Sequence, residues 1–412
     1  MVPGRAITSL ILAIAAIALP AAEDWPQILG PTRDGIYRGA VRVAETWPPG
    51  GPKAVWKKTV GEGLAGPAVA NGRLYLHHRV QKEEVVEAFD ARTGAPVWRH
   101  AYPTTYRDDF GFDEGPRAVP VVSGGRVFTY GAEGELSVLD AATGKVAWRT
   151  NAMQQFGVAK GYFGAAGSPL VDGTRVILNV GGKAKNAGIV AFDAATGAVL
   201  WTATNHEASY SSGTMATLGG ARLAVFLTRE GLVGLDPATG AVKFQQRWRA
   251  RYASSVNAAT PLVLGDTIFI SASYETGANL LRVGASGALT SLWADDETLS
   301  SHYATSVHVG GVLYGFHGRQ EYQPSLRAVE LTTGKVRWSE ERFGAGTVMA
   351  IGTRILVVTE DGRLILAPTG TAAFTPLARA TVLPPTVRAY PAFADGLLYL
   401  RNDRTLVALD LR

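Results

Sequence analysis

Of the 412 residues, 47% are hydrophobic and 18% charged, which excludes a disordered chain and leaves enough apolar surface for a large core. The absence of cysteine removes disulfides and thiolate chemistry. The net charge of +5 is spread along the chain without a basic run, so a nucleic-acid arm is excluded.

Residues 1–22 have the parts of a secretory signal peptide. Arg5 supplies the charged start, Ala6 to Leu19 the apolar stretch, and Pro20-Ala21-Ala22 the small residues for cleavage. The apolar stretch is shorter than the roughly 20 residues that span a bilayer, which favours a cleaved signal over a retained anchor. The expectation is an exported, periplasmic protein without a stable membrane anchor after cleavage, and without a cysteine for lipid attachment. Residues 23–50 read as an N-terminal extension. Lys53 to Lys57 then reads as a solitary strand carrying Trp56.

From residue 51 onward the chain repeats. Ala88-Phe89-Asp90, Thr93-Gly94 and Trp98 are followed by Val138-Leu139-Asp140, Thr143-Gly144 and Trp148. The pattern returns with Asp193, Gly197 and Trp201, with Asp236, Gly240 and Phe244, and with Glu330, Gly334 and Trp338. Weaker copies lie at Val283 to Trp293 and around Ala367-Pro368, and a truncated copy ends at Asp410. The unit is a hairpin: Asp bonds the turn backbone, Gly supplies positive φ, and the aromatic ring on the returning strand buries against the adjacent sheet. A second repeat alternates with it, as in Gly66-Pro67-Ala68-Val69 and Ser168-Pro169-Leu170-Val171, where proline opens a strand.

Two strands from each unit make a four-stranded sheet, and eight sheets are counted. Asp90 and Asp410 are seven repeats apart, which gives about 46 residues per sheet, a propeller spacing. The last copy lacks its outer strand and the Trp56 strand lacks a sheet. Pairing them predicts an all-β, eight-bladed β-propeller over 51–412, with the N-terminal strand closing the last blade.

The Ala-x-Asp-x-x-Thr-Gly-x-x-x-Trp unit resembles the pyrroloquinoline-quinone (PQQ) repeat, over about residues 50–412. Trp25-Pro26-Gln27, Gly30-Pro31-x-Arg33-Asp34-Gly35, Gly115-Pro116-Arg117-Ala118, Ser301-His302-Tyr303 and Arg388-Ala389-Tyr390-Pro391 look like exported bacterial PQQ-like propellers of unassigned function. The wider resemblance covers both quinoprotein dehydrogenases and non-enzymatic propellers of outer-membrane barrel assembly. It implies, for a dehydrogenase, PQQ held with calcium through Glu, Asn and Asp side chains, a further Asp as base, and in many cases a stacked cysteine pair. Here the cysteines and long insertions are absent, and only Asn257 and Glu207 stand near blade starts. The reading is therefore a non-catalytic binding or scaffold propeller with no cofactor, no metal ligand and no catalytic residue. A PQQ-dependent dehydrogenase of an alcohol or sugar is the first alternative. An outer-membrane assembly factor is the second, and the missing lipid-anchor cysteine counts against it.

Connections that enter the innermost strands should gather at one mouth of the channel. Arg117, Tyr210, Asn257, His302, Tyr303 and Arg388 hold equivalent positions there, and are the candidate ligand-binding residues. Arginines would take a carboxylate and Tyr/His would hydrogen-bond a protein partner or small molecule. A water-filled channel whose polar groups satisfy one another is the alternative. The connection from His100 to Ala118 is the longest and combines acidic, basic and aromatic residues, which suits either a binding surface or a self-paired loop.

Overall fold

Five of the repeats turn on one carboxylate, that of Asp90, Asp140, Asp193, Asp236 or Glu330. Asp90 Oδ1 accepts from the N–H groups of Arg92 (3.1 Å) and Thr93 (2.8 Å) and from the Thr93 hydroxyl (2.8 Å). Gly94 follows at φ 70°, in the left-handed region that an L side chain rarely adopts. Asp140 and Asp193 accept the same set of bonds in the next two repeats.

The computed structural model describes residues 23–252 and 255–412, so the signal-peptide stretch lies outside the described residues. Blade 1 consists of Ala68–Ala70, Arg73–Val80, Glu83–Asp90 and Pro96–Pro103, paired antiparallel in that order. Blades 2 to 7 repeat this plan at 121–151, 170–203, 214–247, 262–295, 307–340 and 346–381. Blade 8 takes three strands from 392–410 and its fourth from Lys53–Thr59. That outer strand pairs antiparallel with Thr405–Asp410, with Trp56 opposite Ala408. The eight-bladed, terminally latched propeller is the observed fold. First strands touch between blades 8 and 1, 1 and 2, 2 and 3, 3 and 4, and 6 and 7.

The repeated tryptophans join blade to blade. Trp56, Trp98, Trp148, Trp201 and Trp293 each lie over the turn glycine of the following blade, where a Cβ would meet the ring at 2.6 to 3.0 Å. Each indole N–H donates to a backbone carbonyl in that same turn, at 2.7 to 3.1 Å. Glycine is thus needed twice, for the turn and for the ring above it. Trp338 departs from the pattern. Its neighbour in blade 7 has no such turn, its indole N–H has no partner among the described residues, and the ring packs on Phe374 instead. Phe244 fills its joint without an N–H to donate.

The N-terminal segment has a role that no period in the sequence announced. Trp25 pairs with Val69 of blade 1, and Pro26 O accepts from Val122 N of blade 2 (2.8 Å). Ile36–Tyr37 adds a parallel fifth strand to blade 7. Between them Arg33, only 3% exposed, donates to Gln27 Oε1 (2.9 Å), to Gly213 O (2.6 Å) and to Pro169 O. The segment therefore fills axial space that the inner strands surround.

Candidate functional site

The connections that lead into the inner strands bring five of the six candidates to one cavity. Arg117, Tyr210, His302, Tyr303 and Arg388 line a space of about 150 Å³, together with Phe112, Phe163 and Tyr274. Asn257 does not line it. That residue is buried, its Nδ2 donates to Thr228 O (2.8 Å) and Trp248 O (3.0 Å), and its carbonyl accepts from Tyr210 N (3.0 Å). Its placement is that of a support beneath Tyr210.

Both arginines are already engaged. Arg388 donates to both oxygens of Glu360 (2.7 and 3.3 Å), and Tyr303 donates to the same carboxylate (2.7 Å). Burial lowers the Arg388 pKa, but Glu360 outweighs it and the net direction is upward. Burial, then the Glu360 charge, pushes the Tyr303 phenol well above its ordinary range, so it serves as a donor. Arg117 lies 3.5 Å from Asp108 and donates to the carbonyls of Asp113 and Gly115. The cavity thus holds neutralised arginines, each also resting on an aromatic face: Arg117 on Phe163 at 5.7 Å and Arg388 on Phe112 at 5.7 Å.

His302 is held neutral. Burial pulls its pKa down to about 4; the Glu321 charge opposes this to a smaller extent, and Arg319 adds to it. Its Nδ1 accepts from Gln320 N (3.4 Å), which leaves Nε2–H to donate to the Tyr274 hydroxyl (2.9 Å). The ring is therefore a wall and a fixed donor rather than an acid.

The long connection pairs its own charges and exposes its aromatics. Asp108 accepts from the N–H groups of Phe110, Phe112 and Asp113, Arg107 binds Glu114, and Lys160 binds Asp109. Phe110 and Phe112 remain 55% exposed and stack at 6.1 Å, with Phe163 at 5.3 Å from Phe110. Phe163 and Tyr274 lay outside the sequence candidates because nothing in the repeat marks them, whereas Phe110 and Phe112 belong to the connection read as a possible binding surface. The Phe110-x-Phe112 pair within a loop was the available signal.

A family model described as outer membrane protein assembly factor BamB matches residues 81–340 and 322–412. The chain belongs to this PQQ-repeat family. Two curated relatives bracket the possibilities for such a propeller. The quinohemoprotein alcohol dehydrogenase of Comamonas testosteroni is 34% identical over 143 residues, 33% of this chain and 19% of that protein. BamB of Shewanella oneidensis is 25% identical over 243 residues, 53% of this chain and 55% of that protein. The chain spans less than two thirds of either relative's length. Among solved structures, the Comamonas testosteroni enzyme superposes with a TM-score of 0.68 at 17% identity, covering 94% of this chain and 80% of that one. BamB from Moraxella catarrhalis gives 0.62 at 17%, covering 87% and 98%. At such identities the structures support the fold alone.

The PQQ-repeat mouth does not fit a calcium-held quinone. The cavity is smaller than the roughly 300–1,000 Å³ typical of cofactor pockets, and its two arginines are neutralised before any ligand arrives. Among the described residues, no group of three or more His, Cys, Asp or Glu side chains is placed to hold an ion.

Proposed function

We propose that this protein is an exported, non-catalytic propeller that binds a protein partner at its mouth, receiving an apolar or aromatic side chain in the cavity. The observation that carries the reading is the aromatic wall of that cavity, continuous with the exposed Phe110–Phe112 pair and lined by arginines already matched to carboxylates. Desolvated aromatic pockets with arginines stacked on their rings are where protein interfaces concentrate their binding energy. A space of about 150 Å³ suits one side chain of a partner better than an enclosed small molecule. The family description supports a partner from outer-membrane protein assembly. The apolar stretch Ala6 to Leu19 supports an envelope location.

Selection of short random peptides on the purified protein tests this. Enrichment of sequences with a central Phe, Tyr, Trp or Leu is expected, and Phe112→Ala should weaken the winning peptide about tenfold or more. Recovery of no such peptide, or equal binding by Phe112→Ala, would overturn the reading. The match to the alcohol dehydrogenase favours a second reading, a quinoprotein acting on an alcohol or sugar. Dye-linked oxidation after loading with the quinone and calcium would establish that one in place of the first.

A further inference from the structure

Blades 2 to 4 border a second cavity of about 520 Å³, within the usual range of pockets for small molecules. It lies beside the mouth and shares only Tyr210 and Ala166 with it. Its wall from the connection between blades 2 and 3 is mostly small residues, Gly157, Ala159, Gly161, Gly164, Ala165 and Ala166, with Met153 and Val158 the larger apolar ones. The space is wide because the small residues project little into it.

Two observations suggest what this space receives. Tyr130 lines it and is 2% exposed, and its hydroxyl makes no hydrogen bond to the described residues. The hydroxyl opens onto the cavity wall, where an acceptor that enters can pair with it. Burial pushes its pKa upward, which leaves it a donor at physiological pH. The second observation is the charge beside the opening. Lys183, Arg229 and Arg249 gather around Glu207 and Glu230, with Arg229 Nε at 3.2 Å from Glu207 and Arg249 at 3.3 Å from Glu230. Three cations against two carboxylates leave an excess of one positive charge. At the mouth, by contrast, each arginine has its own carboxylate.

We propose that this cavity binds an amphipathic organic anion. The apolar body lies on the glycine–alanine wall. The carboxylate head accepts from the Tyr130 hydroxyl and is drawn by the cationic cluster. The site is separate from the mouth and does not depend on the reading given above.

Isothermal titration of the purified protein with decanoate, below its micelle concentration, tests the assignment. Saturable binding of one decanoate is expected, with decanol, which lacks the charge, binding more weakly. Tyr130→Phe keeps the ring and removes the donor, and should weaken decanoate about tenfold. Lys183→Ala, at an exposed position, should weaken it further at low salt than at high. Ala159→Trp, also exposed, should fill the space and abolish uptake. Phe112→Ala alters only the mouth and should leave decanoate binding unchanged, so the two sites fail separately. No saturable uptake, decanol binding as well as decanoate, or wild-type affinity in Tyr130→Phe and Ala159→Trp would each overturn the proposal.

Discussion

Replacing Arg33 by alanine should test the axial role of the N-terminal segment. Among the described residues the side chain makes three hydrogen bonds, to Gln27 Oε1, Gly213 O and Pro169 O, and pairs with no carboxylate. Each bond from a charged donor is worth about 1.5–3 kcal/mol. Against them stands the cost of burying the guanidinium, which pulls its pKa down to about 9. Truncation also leaves two buried carbonyls without donors. Three lost charged bonds and the unpaired carbonyls, less the relieved cost of burying the guanidinium, give a net destabilisation of about 3–5 kcal/mol. With an unfolding entropy of about 2.1 cal/mol/K per residue, a chain of this length should lose about 4–6 °C in Tm. Calorimetry at neutral pH would compare the wild type with Arg33→Ala, Arg33→Lys and Arg38→Ala. Lysine keeps the charge but loses the fork, and should fall between. Arg38 pairs with Asp34 at the surface, and its loss should shift Tm by less than about 1 °C. An Arg33→Ala midpoint within 1 °C of wild type would refute the reasoning.

Trp56→Ala should cost about 2–3 kcal/mol and release hydrogen-exchange protection first in Lys53–Thr59 and Thr405–Asp410, because it removes the ring over Gly94 and the bond to Ala91 O. Gly144→Ala should cost about 1–3 kcal/mol by urea titration, since φ is 72° and the new methyl would sit 2.6 Å from Trp98. Stability should also fall as pH drops from about 6.5 to about 4. Burial holds His302 and His317 at about 4, so in that window the unfolded chain binds protons that the folded one does not. His302→Gln combined with His317→Gln should flatten that slope in Tm measured against pH, and an unchanged slope would count against it.

The propeller was legible because its determinants are local and recur. A turn Asp, a glycine and a following Trp can be counted, and the incomplete final copy matched the solitary Trp56 strand. The N-terminal segment was not legible in the same way. Its bonds run from irregular backbone and one side chain to carbonyls more than a hundred residues away, and Arg33 looks in sequence like any polar residue near a proline. At the mouth, equivalent positions before the inner strands located Arg117, Tyr210, His302, Tyr303 and Arg388. Their electrostatic state was hidden, because Glu360 reaches Arg388 from 28 residues earlier, at the end of a different strand. Asn257 holds the same sequence position, yet its amide is committed to backbone carbonyls that only the fold brings near.

The fifth strand of blade 7 answers a weakness in the circle. On one flank Trp338 meets Phe374 with its indole N–H unpartnered, and on the other the outer strand Ala378–Thr381 carries no tryptophan at all. Neither joint of blade 7 has an indole hydrogen bond among the described residues, and this is the blade that Ile36–Tyr37 grips from the inside. Loosening that grip should let a single wedge of the wheel work free while the other spokes stay tight.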